Sequence, residues 1–401
     1  MSALFKLKFS PVAALVCAAL SQNAIAEAIV KDGSLKVKTE DNQFQIGGRI
    51  MYDFDSFTDV HSYSVSQASA TAFDLNAGSD SSDIELRRGR LYVKSDMGDW
   101  SAKLQVNIDD SDETANFEDA YLRYEGGKGF KITLGKHKEP FGLEELTSSK
   151  YITTIERSMM TNAMSPGRNY GVQVHGHNDS ITWGAGIYDN GNNDEEEQVL
   201  AFTGRVAFRP IHNDDMLLHI AGAFTSRDND TQSFRIRERA EVHLAERTVL
   251  SNTISANTVN ILGAEGAFNY QSFSVQAEYQ FADVEATAGE DEEFSGYYAQ
   301  ASVFLTGESR PYKKSSGSFD KVKPKGNMGA WEVVVRYSFL DAEDLDFGSE
   351  ATNITLGLNY YANKNVRFML NYIDTEVEYI EPTSTTTIEG DAVALRGQYA
   401  F

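Results

Sequence analysis

Cysteine is all but missing from the 401 residues. The single one, Cys17, falls in an N-terminal stretch with the features of a leader, so no disulfide can staple the mature chain. Long apolar runs are missing as well. After residue 26 none approaches the ~18 residues a spanning helix needs, so a mature chain that enters a membrane must do so as strands. Positive charge is scarce: 36 Lys and Arg stand against 59 Asp and Glu, a net of −23. Loss of Lys6 and Lys8 with the leader leaves 34 against 59, a net of −25, which excludes nucleic-acid binding.

Chemistry-bearing constellations are missing too. No Ser, His and acid converge at one rim, so an outer-membrane lipase or protease is not expected and the chain does not read as an enzyme. Asp110-Ser-Asp-Glu113 lacks the Gly and the bidentate Glu of an EF-hand, and reads as a solvated loop bridging cations to lipopolysaccharide. Of the seven histidines only His175 and His177 share a strand face, which reads as strand-end polarity, so neither metal nor cofactor is expected.

What is present begins with an export signal. Lys6 and Lys8 precede an apolar run from Pro11 to Leu20, and Ala24-Ile25-Ala26 has the spacing of a signal-peptidase site. Residues 1–26 are therefore expected to be a signal peptide and 27–41 a short periplasmic segment. A lipid anchor at Cys17 is disfavoured by Val16 before it.

From residue 42 to residue 401 the pattern is alternation, with turn residues between the runs. Sixteen runs are counted: 42–56, 82–96, 99–109, 117–126, 129–137, 170–177, 180–189, 199–210, 215–226, 258–269, 272–283, 294–306, 328–340, 351–362, 365–375 and 390–401. An even number of runs of about ten residues fits an all-β, 16-stranded antiparallel transmembrane barrel. A soluble sandwich also alternates, but it hides its apolar face. Here Trp331, Val333, Val335, Tyr337 and Phe339 share one face, as do Val393, Leu395, Gly397, Tyr399 and Phe401, with aromatics near strand ends as in interfacial girdles.

Short connectors, such as Met97-Gly98, Asn178-Asp179 and Asn363-Lys364, alternate with longer ones, which places the N-terminus and the short turns on the periplasmic side. Two connectors stand out. The insertion 138–169 is the third external loop and is far longer than a hairpin needs, so it has work of its own. The stretch 307–327 is long although it falls on the periplasmic side.

The segment Glu139-Pro-Phe-Gly-Leu-Glu-Glu-Leu-Thr-Ser-Ser-Lys-Tyr-Ile152, with Glu156-Arg157 and Pro166-Gly-Arg-Asn-Tyr170, resembles the phosphate-selective porin O and P family. So does Gly307-Glu-Ser-Arg-Pro-Tyr-Lys313 with Gly329 to Tyr337 after it. The resemblance implies a homotrimer of sixteen-stranded porins, with the third loop, the fifth loop and a long periplasmic turn folded into the lumen. It further implies an arginine ladder and a lysine cluster. Arg49, Arg87, Arg88 and Arg157 are similar to ladder or constriction positions, and Lys313, Lys314, Lys321, Lys323 and Lys325 to the cluster. The fifth loop, 227–257, offers no matching motif. Arg235, Arg237 and Arg239 form a cation comb if that loop dips inward and a solvated face if it does not.

Strand parity gives an independent reading of the lumen. It turns Arg49, Arg88, Arg90, Lys94, Lys103, Arg123, Arg205, Arg209, Arg336, Arg367 and Arg396 inward, against Asp53, Asp55, Asp109, Glu278 and Glu332. Arg336 and Arg396 can equally be paired with acids across the wall. Arg87 falls on the outward parity, which calls for a position above the membrane, a bulge, or a failure of the likeness there. Lys136 and Lys138 read as loop-base residues. Asp53 and Asp55, on the face of Arg49, could neutralise the entrance.

These readings converge on an outer-membrane channel for passive diffusion of anions, with phosphate, pyrophosphate or polyphosphate as the preferred solute and outer-membrane lipid and lipopolysaccharide as surroundings. A general porin of the same fold and a surface interaction barrel with a plugged lumen are the alternatives.

Overall fold

The computed structural model describes residues 27–401 except 32, 40–41, 70, 109–115, 128, 190–199 and 230–232. The expected leader at 1–26, the loop acids Asp110 to Glu113 and the inward acid Asp109 lie outside the described residues.

Each of the sixteen alternating runs forms one strand. In order they are β1 (Asn42–Phe57), β2 (Ser81–Met97), β3 (Trp100–Ile108), β4 (Asn116–Tyr124), β5 (Phe130–Lys138), β6 (Arg168–His177), β7 (Ile181–Asp189) and β8 (Leu200–His212). The second half comprises β9 (Met216–Asp228), β10 (Ile254–Tyr270), β11 (Phe273–Ala286), β12 (Glu292–Phe304), β13 (Ala330–Asp341), β14 (Gly348–Tyr361), β15 (Val366–Glu381) and β16 (Ser384–Ala400). Sequence neighbours pair antiparallel, and β16 returns to β1 from Ala392↔Phe57 to Ala400↔Arg49. That last pairing closes the sheet, so the barrel itself leaves no open edge for the membrane to meet.

Alternation becomes sidedness. On β16, Val393 and Leu395 are 39% and 42% exposed while Ala394 and Arg396 are 1% and 2%. Outward aromatics pair near the periplasmic rim, Trp331 on Tyr360 with ring centroids 4.5 Å apart and Trp100 beside Tyr124 at 5.0 Å. One expectation needs correction. The eighth external connector is not long: β15 and β16 remain paired out to Glu381↔Ser384, beyond the apolar alternation that marked them. The segment after residue 26 is a hairpin, Glu27–Lys31 with Ser34–Lys38, and its second strand pairs with β1 at Leu35↔Ile46 beneath the C-terminus.

Three loops from the rim expected to face outward, and one turn from the rim expected to face the periplasm, fill part of the barrel. The first loop carries a 3₁₀ turn, Asp59–Ser62, and a hairpin of Ser64–Ser69 with Ala72–Asn76. The third loop carries α1 (Leu143–Leu146) and α2 (Met159–Met164), and the fifth pairs Arg237–Glu238 with Val249–Leu250. Val65 and Phe73, Phe141 and Met160, and Ile236 and Leu250 from these loops join Phe294, Tyr298 and Tyr379 of the wall in one apolar cluster. From below, Phe319 of the long periplasmic turn packs with Leu143 and Leu217, and its backbone N–H donates to Thr147 Oγ1 at 3.3 Å.

Candidate functional site

The third loop lies against one wall because buried ion pairs hold it there. At its root Glu139 accepts both Nη atoms of Arg227 at 3.0 Å, together with Asn169 Nδ2 at 2.6 Å. Gly142, at φ +71°, turns the chain into α1, whose Leu143 and Glu144 N–H groups donate to Glu278 at 2.7 and 2.6 Å. Arg336 of β13 then donates to Glu144 at 3.1 Å and pairs with Glu241 of the fifth loop. Arg367 of β15 donates to the Ile152 carbonyl at 2.7 Å, and Arg396 of β16 is shared by Asp53 (2.7 and 2.5 Å) and Glu156 (2.6 Å).

Parity was right to turn these arginines inward, but Arg336, Arg367 and Arg396 are occupied as loop anchors. Arg336 and Arg396 take the paired alternative. Asp53 is likewise spent on Arg396, and Asp55 accepts the Leu244 N–H of the fifth loop at 3.4 Å. The carboxylates that do this anchoring, Glu139, Glu144 and Glu156, lie in loop without a strand period, so parity could not find them.

The opposite side, from β1 to β8, keeps an open cavity of about 1020 Å³. Thirteen Lys or Arg line it against four carboxylates, so its wall is cationic in a strongly acidic chain. Of the residues expected from sequence, Arg49, Arg88, Arg90, Arg123, Arg157, Arg205 and Lys313 line this cavity. Arg87, Lys314, Lys321, Lys323 and Lys325 are not among its lining residues. Lys314 instead pairs with Asp179 at 2.7 Å, and Lys325 Nζ donates to the Gly307 carbonyl at 2.6 Å.

Arg87 is explained by a bulge. Met51 faces Arg88 and Tyr52 faces Leu86, leaving Arg87 as the extra residue, so two consecutive arginines reach inward. A second register shift, in β4 between Asp119 and Phe117, does the same for Glu118 and Asp119. Those acids hold Arg168 at 2.9 and 2.8 Å, while Asp119 also takes Lys103 at 2.5 Å and Glu118 pairs with Arg90.

Pairing sorts the cations. Arg205 is neutralised by Glu265 (2.7 and 2.5 Å) and donates to the Gly317 carbonyl. Arg157 and Lys138 share Glu145 at 3.2 and 2.7 Å. Burial alone would raise the Glu145 carboxyl, but these two cations hold it down at about 2. Among the described residues, Arg49, Arg123, Lys150 and Lys313 have no carboxylate within ion-pair distance. Arg49 donates to Ser148 Oγ at 3.3 Å, Arg123 stacks on Tyr121 at 4.8 Å, and Lys150 lies over Tyr151 at 5.3 Å. Arg88 has a carboxylate oxygen only at 3.6 Å, and its buried Nη1 has no hydrogen-bond partner.

Lys150 shows what that convergence costs. Burial, then the charges of Arg49, Lys103 and Lys321, bring its ammonium down to about 7. Sequence reasoning passed over Lys150 and Arg168: the first sits in a loop, the second at a strand's first residue, and neither has a parity to read.

A closed sixteen-stranded barrel with an apolar belt and a cation-lined cavity beside an inserted loop defines an outer-membrane porin. The profile of one family, phosphate-selective porin O and P, matches residues 44–401, and the chain belongs to it. Porin O of Pseudomonas aeruginosa is 29% identical over 97% of this chain and 98% of its own length. Among solved structures, an anion-selective porin from Comamonas acidovorans superposes with a TM-score of 0.58, at 14% identity over 90% of this chain and 100% of its own. A trimer form of OmpT, an outer-membrane protein of Vibrio cholerae, gives 0.54 at 11% identity over 90% and 100%.

Proposed function

We propose that the protein is a passive anion channel of the outer membrane, with phosphate, pyrophosphate or polyphosphate as its preferred solute class. The carrying observation is the gathering of Arg49, Arg88 and Lys150 on one cavity wall with donors left unanswered by protein carboxylates. Like charges brought together at this depth are stabilised by an anion that enters among them, and guanidinium forks suit phosphate oxygens. Arg123 and Lys313 extend the same wall, which Arg90, Arg157 and Arg205 also line, each of these three paired with a carboxylate. Lys314, Lys321, Lys323 and Lys325 of the periplasmic turn supply positive potential on the periplasmic side. Several modest sites in series permit both capture and release.

Family membership and the similarity to Porin O support the phosphate class. The trimeric form of a protein sharing the fold is consistent with a trimer here. Asp53 is paired with Arg396, and neither it nor Asp55 is among the residues that line the cavity, which favours selectivity over a general porin. The test is chloride current through the purified protein in a planar bilayer with phosphate added to one side. Concentration-dependent block supports the proposal; chloride current indifferent to phosphate makes the protein a general anion porin, and no current at all a plugged barrel.

A further inference from the structure

We propose that Glu156 is a positioning residue that presents Arg88 to the passing anion. The inference rests on reading the cavity as an anion path. The bulge in β2 sets Arg87 and Arg88 side by side on the inner surface, where two guanidinium groups repel. Among the described residues Glu156 is the only carboxylate within ion-pair distance of either.

Its two oxygens are divided among three arginines. Oε1 takes Arg87 Nε at 2.9 Å and Arg396 Nη2 at 2.6 Å; Oε2 takes Arg87 Nη2 at 2.9 Å and approaches Arg88 Nη2 at 3.6 Å. Arg87 is thus bound through one whole edge, whereas Arg88 is held loosely by one nitrogen. The other, Nη1, is buried without a partner while Arg88 lines the cavity. A carboxylate that satisfied Arg88 fully would take it from solute, and one that was absent would let the pair splay apart.

The carboxylate cannot drift to follow an anion, because the backbone beneath it is fixed. The Glu156 carbonyl accepts Arg336 Nη2 at 3.0 Å and Thr154 Oγ1 at 2.8 Å, and the Ile155 carbonyl accepts Arg396 Nη1 at 2.5 Å. Glu156 is therefore a fixed internal counter-ion, and Arg88 is the arginine it leaves available.

Coulomb's law and positioning make opposite forecasts for Glu156→Gln. Removing a negative charge near the path strengthens anion binding if charge alone matters. If Glu156 positions Arg88, the neutral amide directs its N–H groups at guanidinium groups, the arginines separate, and binding weakens on the order of tenfold. The experiment compares purified wild type and Glu156→Gln in planar bilayers. It records the zero-current potential in a KCl gradient and the phosphate concentration that halves chloride current, after matching far-UV circular dichroism and thermal transitions.

The proposal expects a higher half-blocking concentration and lower chloride preference in Glu156→Gln. It also expects no further loss when the change is made in an Arg88→Gln background. Unchanged or tightened block, or an additive double variant, overturns it. A wild type that lacks anion preference fails the reading of the passage instead, before the variant is considered. Should Glu156→Gln not fold, Glu156→Asp decides: it keeps the charge but retracts it by one methylene, so weakened block supports positioning and unchanged block overturns it.

Discussion

Lys150 reaches the passage from the third loop with Arg49, Lys103 and Lys321 as electrostatic neighbours, and its ammonium is held down to about 7 by burial and then by those charges. A lysine so placed is charged below that pH and neutral above it, so chloride preference should fall from about pH 6 to about pH 8. Lys150→Arg should remove that decline, since a guanidinium keeps its proton. Zero-current potentials across the range check both, and a profile flat in wild type contradicts the assignment. Arg205 makes the opposite case. Its fork is closed on Glu265 and carbonyls of the periplasmic turn, so Arg205→Ala should cost about 3–5 kcal/mol by leaving a buried carboxylate uncompensated. Its thermal transition should drop while phosphate block changes less than in Arg49→Ala.

At this scale the sequence carried direction but not pairing. Arg396 and Asp53 lie 343 positions apart, and Arg336 and Glu144 lie 192 apart. Away from bulges such as the one at Arg87, parity says which way a side chain points; only the closed barrel says which of them meet.

Elements were legible wherever a period of two survived. All sixteen strands were, and so was the third loop, marked by its length and by the motif that begins at Glu139. Legibility failed where neither face was apolar, as in Ser384-Thr-Thr-Thr387, which continues β16 into a polar hairpin. It failed also in the fifth loop, whose path is set by partners on other elements: Glu241 on Arg336, His243 on Glu85 at 2.7 Å, and the Leu244 N–H on Asp55.

The third loop is gripped from three sides: wall arginines, the fifth loop and, from below, Phe319 of the periplasmic turn. Phe319→Ala should destabilise the protein by about 3–5 kcal/mol through loss of that buried ring. It should also broaden single-channel current noise, because α1 loses the surface beneath it. Quiet channels of wild-type conductance would show that the turn does not support the loop.

For the whole molecule the puzzle is a net charge of −23 around a passage with thirteen basic and four acidic lining residues. The two do not cancel. Exposed loop acids are screened by salt within about 10 Å at 0.1 M, whereas charges lining a cavity inside the barrel are screened less. Anion preference should therefore persist as KCl is raised from about 0.1 M to about 1 M. Preference that reverses at low salt would place control in the outer loops. Signal-peptide cleavage before Glu27 is expected to yield the mature N-terminus, and N-terminal sequencing of protein from outer-membrane fractions tests that.

The cavity beside the third loop is proposed to conduct anions because its cations outnumber its carboxylates. The deciding measurement is the zero-current potential of the purified protein across a planar bilayer in a KCl gradient. The expected potential has the sign set by chloride and is reduced in Arg49→Ala and in Lys150→Ala. A potential of the sign set by potassium would contradict it and assign selectivity to the acidic exterior.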